Sequence, residues 1–120
     1  MLRFVVLHHT GWPGHVDHFD LMLQKEEGSG DDSPVLTTYS TERDQFPAAG
    51  GILSPNHDHR RAYLTFEGEL SQQRGRVRRV DAGTLEWLGT NHFRLMGTQL
   101  SGEFRLVSKG RGTVVLTAAM

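Results

Sequence analysis

The chain contains no cysteine, which excludes both a disulfide framework and a thiolate zinc site. At 120 residues it has the length of one domain that buries a core without such staples. No apolar run approaches the roughly 20 residues that a bilayer-spanning helix needs, and the first residues lack the pattern of a cleavable signal peptide. Cytoplasmic residence with no membrane partner is the expectation. Net charge is also scarce, at −1, which argues against a protein that wraps a duplex through many phosphate contacts. The charges are clustered, however. Acids gather at Glu26, Glu27, Asp31 and Asp32, arginines at Arg74, Arg76, Arg78 and Arg79. A local basic strip on a near-neutral domain suits contact with a single phosphate-bearing end.

Long amphipathic helices are missing too, and what remains is a series of short β-prone runs between glycine and polar turns. Arg3 to His9 is a β-branched first strand, and Thr10 to Gly14 is a Gly/Pro loop. His18 to Gln24 and Val35 to Tyr39 read as the next strands, joined by a charged connection over Lys25 to Pro34. Thr41 to Gly51 has no clear period and suits a turn or short helix. Arg61 to Glu67 alternates as a strand would. A short arginine-studded strand over Gly75 to Val80 precedes a turn at Asp81-Ala82-Gly83. The strands Leu85 to Leu88, His92 to Met96, Gly102 to Val107 and Thr113 to Thr117 close the chain. About eight short strands at this spacing predict one all-β domain over residues 1–120, a small antiparallel β-barrel.

Seven histidines direct attention to His/carboxylate chemistry. In an extended strand residues two apart share a face, so His18, Asp20 and Met22 point one way while Phe19, Leu21 and Leu23 point the other. The apolar face anchors the strand and leaves an imidazole and a carboxylate at fixed separation. His9, at the end of the preceding strand, completes a two-imidazole, one-carboxylate set that suits Mn²⁺, Zn²⁺ or Fe²⁺ with positions left open. Any one of these histidines also fits a solvated position near a loop; strand parity favours the set. His15-Val16-Asp17 repeats the His-x-Asp unit in a second register nearer His9 but lacks the alternating apolar partners, so His18 and Asp20 are preferred.

His57 and His59 share a face if their segment is extended, and Tyr63 joins them if the strand runs on unbroken. An imidazole there would hold a phosphate oxygen or move a proton near neutral pH; a solvated turn around Asn56 to Asp58 is the bland alternative. Arg76 and Arg78 make one strand face basic, suited to phosphate or simply to a solvated edge. Trp12 and Trp87 are either base-stacking or core and rim residues. A Gly-flanked His-x-His motif with a spaced glutamate and final histidine is not present, which disfavours a cupin-like small-molecule site.

Taken together, Arg3 to His9, His18 to Leu23, His57 to Gly68, Arg74 to Thr84 and Leu100 to Val107 resemble the 3′-phosphoesterase domain of bacterial DNA ligase D, in particular its small stand-alone relatives. The likeness covers most of the chain and is most specific over His59 to Gly68. It implies a β-barrel with its site in a groove on the barrel. It further implies an Mn²⁺-dependent enzyme, with Zn²⁺ or another divalent ion as substitute. Such an enzyme removes 3′-phosphates or terminal ribonucleosides from DNA 3′ ends in end joining, beside a ligase or polymerase partner. By resemblance His9, His18 and Asp20 are the metal ligands, His59 contacts the scissile phosphate, Tyr63 stands beside it, and His57 replaces a supporting glutamate. Three departures stand out. Met22 occupies the position of a phosphate-binding arginine, so that Arg43, Arg61 or Arg76 would have to replace it; the chain begins almost at its first strand, so the polar N-terminal arm of the fused domains is expected to be lacking; and the spacing from His9 to His18 is longer than in the fused domains. The competing expectation is a degenerate barrel that binds DNA ends or a repair partner without turnover.

Overall fold

Phe4, Val5, Val6 and Leu7 are consecutive, and none is more than 1% exposed. A strand with one wet face would alternate, so this run must be covered on both sides. The computed structural model, described here for residues 1–119, shows how. Nine strands run in chain order: β1 (Leu2–Thr10), β2 (His18–Gln24), β3 (Leu36–Thr41), β4 (Ile52–His59), β5 (Gly68–Glu69), β6 (Arg76–Gly89), β7 (His92–Met96), β8 (Ser101–Gly110) and β9 (Thr113–Ala118). They pair in the order β1-β2-β3-β4-β9-β8-β7-β6, and an antiparallel β6–β1 ladder closes the circle. The result is a closed antiparallel barrel of eight strands with the two-residue β5 added on β6. No helix among the described residues is long and apolar enough to cross a membrane.

Phe4 and Val6 point into the barrel, where Leu21, Leu23, Phe93, Leu95 and Leu116 fill the interior. Val5 and Leu7 point outward into a second apolar cluster with Met22, Leu36, Leu64 and Val77. That outer cluster is roofed by a single-turn 3-10 helix, Arg61–Leu64, whose Leu64 is buried. Together with Tyr63 and Leu70 it forms a local second layer on one side of the barrel, and the groove described below lies at its edge.

Two expectations need correction. Arg61 to Glu67 is not a strand. The N–H groups of Arg61 and Ala62 donate to the carbonyls of Ser33 and Asp31, which pulls the chain off the sheet into the 3-10 turn. The strand comes earlier, at Ile52–His59, and it accommodates Pro55 because β4 pairs with β9 only through Ile52 and Leu53. Second, Asp81-Ala82-Gly83 is not a turn but the middle of the 14-residue β6. A bulge opposite Val6 and Leu7 skips Val80 and turns Asp81 inward. Its buried carboxylate accepts the backbone N–H groups of Ala82, Thr98, Gln99 and Leu100, so it caps the β7–β8 turn from across the barrel wall. Gly83 has no room for a side chain, because an added Cβ would lie 2.0 Å from the Met96 carbonyl oxygen. The segment after Thr41, where β3 ends, takes the turn alternative rather than the helix: through residues 42–51 it bends and turns, packs Phe46 against the core and brings Asp44 to 2.6 Å from His8 Nε2.

Candidate metal centre and groove

The antiparallel β1–β2 register sets His9 opposite His18 and Leu7 opposite Asp20, so all four side chains emerge on the outer face. β3 continues that face, with Ser40 opposite Asp20 and Thr38 opposite Met22. β4 would continue it with Ser54 and Asn56 and then Asp58, but a bulge intervenes: Asn56 pairs with Thr38 while His59 pairs with Leu36. Three steps on β4 match two on β3, and the extra residue returns His59 to the face of Asn56 and Asp20. These strands wall a groove of about 820 Å³.

Among the described residues, His9, His18 and Asp20 bring their ligand atoms within 4.8 Å of one another. Each imidazole has its tautomer set by a backbone carbonyl. His9 Nε2–H donates to the Arg74 carbonyl (2.7 Å) and His18 Nδ1–H to the Val16 carbonyl (3.0 Å); in the neutral rings this leaves His9 Nδ1 and His18 Nε2 as the lone-pair atoms, whereas in the protonated ring His18 Nε2–H faces Asp20. Asp20 is 3% exposed and accepts the Ser40 hydroxyl at 2.5 Å, and Ser40 in turn accepts the Asn56 side-chain amide at 3.1 Å. His18 Nε2 lies 3.4 Å from Asp20 Oδ1. The hydrogen bond to Asp20 raises the His18 pKa against the opposing effect of burial. Burial pushes the Asp20 carboxyl up, but hydrogen bonds from His18 and Ser40 and the nearby imidazoles hold it below the ordinary carboxylate value. Two tautomer-fixed imidazoles and one oriented, nearly buried carboxylate form a group that could hold a metal ion.

His59 lines the same groove. Its Nδ1–H donates to the His57 carbonyl (2.9 Å), its ring stacks on His57 (4.3 Å, 15°), and Tyr63 meets it edge-on at 5.6 Å. Burial, reinforced by His57, pushes its pKa down, so near neutral pH it carries a free lone pair on Nε2. Tyr63 thus reaches His59 through the 3-10 turn rather than along an unbroken strand.

The arginines are differently placed from the expectation. Arg61 pairs with Asp31 and Arg76 with Glu69, both at 3.3 Å, and neither lines the groove; nor does Arg43. Arg60 and Arg74 line it instead. The Arg60 guanidinium sits 5.7 Å from the Tyr63 ring centre, and that of Arg74 is tethered to Ser71 by Nε (2.9 Å) and Nη2 (3.1 Å). Met22, 1% exposed, packs into the outer apolar cluster. Asp17 of the second His-x-Asp unit accepts the Gly11 N–H, and His15 stacks on Trp12. Ser40 and Asn56 escaped the sequence reading, although Ser40 follows from the parity of Thr38 once β3 is aligned on β2. Arg74 stands in the basic strip of the sequence, but nothing there shows that its backbone carbonyl holds His9. Set beside known proteins, the chain matches no family model and no curated sequence.

Proposed function

We propose that this protein is a divalent-metal-dependent phosphoesterase acting on nucleic-acid 3′ ends, removing a terminal 3′-phosphate or 3′-ribonucleoside in DNA repair. The observation that carries the reading is the convergence of His9, His18 and Asp20 within 4.8 Å on the wall of a groove that also holds His59, Arg60 and Arg74. The resemblance in sequence favours Mn²⁺ as the ion, and the nitrogen-oxygen donor set is compatible with it and with Zn²⁺. A divalent ion held by these three residues supplies Lewis-acid polarisation of a phosphoryl oxygen. The protein groups do the rest. Neutral His59 accepts a proton at Nε2 from a water whose oxygen bonds to phosphorus as the P–O bond to the leaving sugar oxygen breaks, and that oxygen takes its proton from solvent; Tyr63 and the His57 carbonyl fix the ring. Arg74 and Arg60 bind phosphate oxygens from the rim. Purified protein with Mn²⁺ should convert a primer-template ending in a 3′-phosphate or one 3′-ribonucleotide, and Asp20→Ala should not.

A second reading is supported by Met22, which places an apolar side chain beneath the groove at the position where the resemblance expects a cation. It makes the chain an end-binding module without turnover. Binding of the same duplex with no conversion in the gel assay would establish it and overturn the enzyme; conversion lost in Asp20→Ala would do the reverse.

A further inference from the structure

Trp12-Pro13-Gly14-His15 is a tight turn at the mouth of the groove. The His15 N–H donates to the Trp12 carbonyl at 3.0 Å, proline occupies the second position, and Gly14 takes the third with φ +81°. That is the pattern of a type II turn, which sets its first and fourth residues side by side. The two rings accordingly stack, 3.7 Å apart and 18° from parallel, and the other neighbour of the indole is His9, 5.3 Å away and 17° from parallel. The loop is held on both sides. Asp17 accepts the Gly11 N–H, and Gly75 packs so closely beneath it that an added Cβ would lie 2.1 Å from the Thr10 carbonyl oxygen. Trp87, by contrast, packs on the barrel core and donates its indole N–H to the Gln24 carbonyl, whereas the Trp12 indole N–H has no protein acceptor among the described residues. His15 is exposed. An aromatic stack with half-buried Trp12 inside and exposed His15 outermost is therefore built onto His9 of the candidate metal set, next to Arg74, whose carbonyl holds that same histidine.

We propose that the Trp12–His15 stack is the subsite for the terminal nucleobase of the nucleic-acid strand whose 3′ end reaches the metal centre. The inference rests on the nucleic-acid-end reading above and adds to it a site that recognises the base rather than the phosphate. Every base presents a π-face, and stacking on aromatic side chains is how single strands are held without reading their sequence. The arrangement fits a splayed terminal nucleotide: base on the exposed side of the stack, phosphate toward Arg74 and the His9–His18–Asp20 set. Trp12 also touches His9, so a role confined to positioning that ligand must be distinguished from a stacking role.

The experiment uses Trp87→Phe protein, in which Trp12 is the sole indole, and two short single-stranded oligonucleotides ending in a 3′-phosphate. They are identical except that one lacks the terminal base. The base-bearing strand should bind on the order of tenfold more tightly and quench the Trp12 fluorescence, and Trp12→Leu in the otherwise native chain should erase the preference while Mn²⁺ binding persists. Equal binding of the two strands would overturn the base subsite and leave the phosphate-end reading standing. An equal loss for both strands in Trp12→Leu would reduce Trp12 to a support for His9 and overturn the subsite too. No binding of either strand would overturn the subsite and the nucleic-acid reading together.

Discussion

On the proposed reading, Ser40→Ala should weaken Mn²⁺ binding by about 10- to 100-fold, the cost typical of removing a group that orients a metal ligand. Two effects compete. Losing a donor leaves Asp20 a more basic carboxylate, which favours the metal. It also frees the carboxylate to rotate, which disfavours it. The second wins because the Ser40 contact, at 2.5 Å, is the short one, whereas His18 Nε2 stands at 3.4 Å and must itself turn its lone pair to the ion. Asp20 is only 3% exposed, so water does not readily replace the hydroxyl. A hydrogen bond to a charged group contributes about 1.5–3 kcal/mol, so the metal-free variant should also lose about 2 kcal/mol of stability. Asn56 touches Asp20 only through Ser40. Asn56→Ala should therefore cost less than Ser40→Ala, and the double variant should bind Mn²⁺ as Ser40→Ala does. Isothermal titration calorimetry of the three variants reads this directly. Unchanged affinity in Ser40→Ala, or full additivity in the double variant, would refute the relay from Asn56 to Asp20.

The titration of the pair has a definite sign. His18 is raised, so its contribution to the stability of the metal-free fold is complete below the ordinary histidine value of 6.5 and fades as pH rises through its folded pKa. Asp20 is lowered, so its contribution is complete above the ordinary carboxylate value of 3.8 and is lost as pH falls through its folded pKa. Wild type should therefore exceed Asp20→Asn in melting temperature most between those two values, and a pH-independent gap would exclude the pair as its source. Affinity for Mn²⁺ should move the other way, rising with pH as the proton leaves His18, which a titration series would show or refute. Asp81→Asn should destabilise the barrel by about 3 kcal/mol, or about 10 °C in Tm, because an amide nitrogen is brought against backbone donors that now share one carboxylate. An unchanged Tm would refute the role of Asp81 as a cap.

The barrel was legible in the sequence wherever apolar alternation and local turn chemistry agreed. β1, β2, β7, β8 and β9 fall within three residues of their expected bounds. The convergence of His9, His18 and Asp20 was legible for the same reason: His18 and Asp20 sit on a strand whose parity is imposed by Phe19, Leu21 and Leu23, and one tight loop brings His9 opposite. What escaped was set by long-range partners. Asp81 looks like a turn residue because it is polar and precedes Ala82-Gly83, yet its four donors come partly from residues 98 to 100, far along the chain. Likewise, Arg61 to Glu67 alternates, but carbonyls at Asp31 and Ser33 capture its first N–H groups.

The β4 bulge shows most clearly why the candidate site exceeds what parity can give. In a regular strand Asn56 and His59 would point to opposite faces; the extra residue places the orienting amide and the candidate base on one wall. Because β4 is unpaired by β9 beyond Leu53, it can bulge there without breaking the closed barrel. The outer apolar cluster then supplies what an exterior site otherwise lacks, a dry floor. Val5, Leu7 and Met22 continue the very faces that carry His9 and Asp20, so burial begins one residue pair below the donor atoms. Placing a cation at Met22 would set its stem among those side chains, whereas exposed Arg60 and half-buried Arg74 line the groove outside that apolar cluster. On the proposed reading, the apolar floor keeps Asp20 nearly dry and the phosphate is gripped from above, which is why the arginines that matter are not the ones on the basic face of β6.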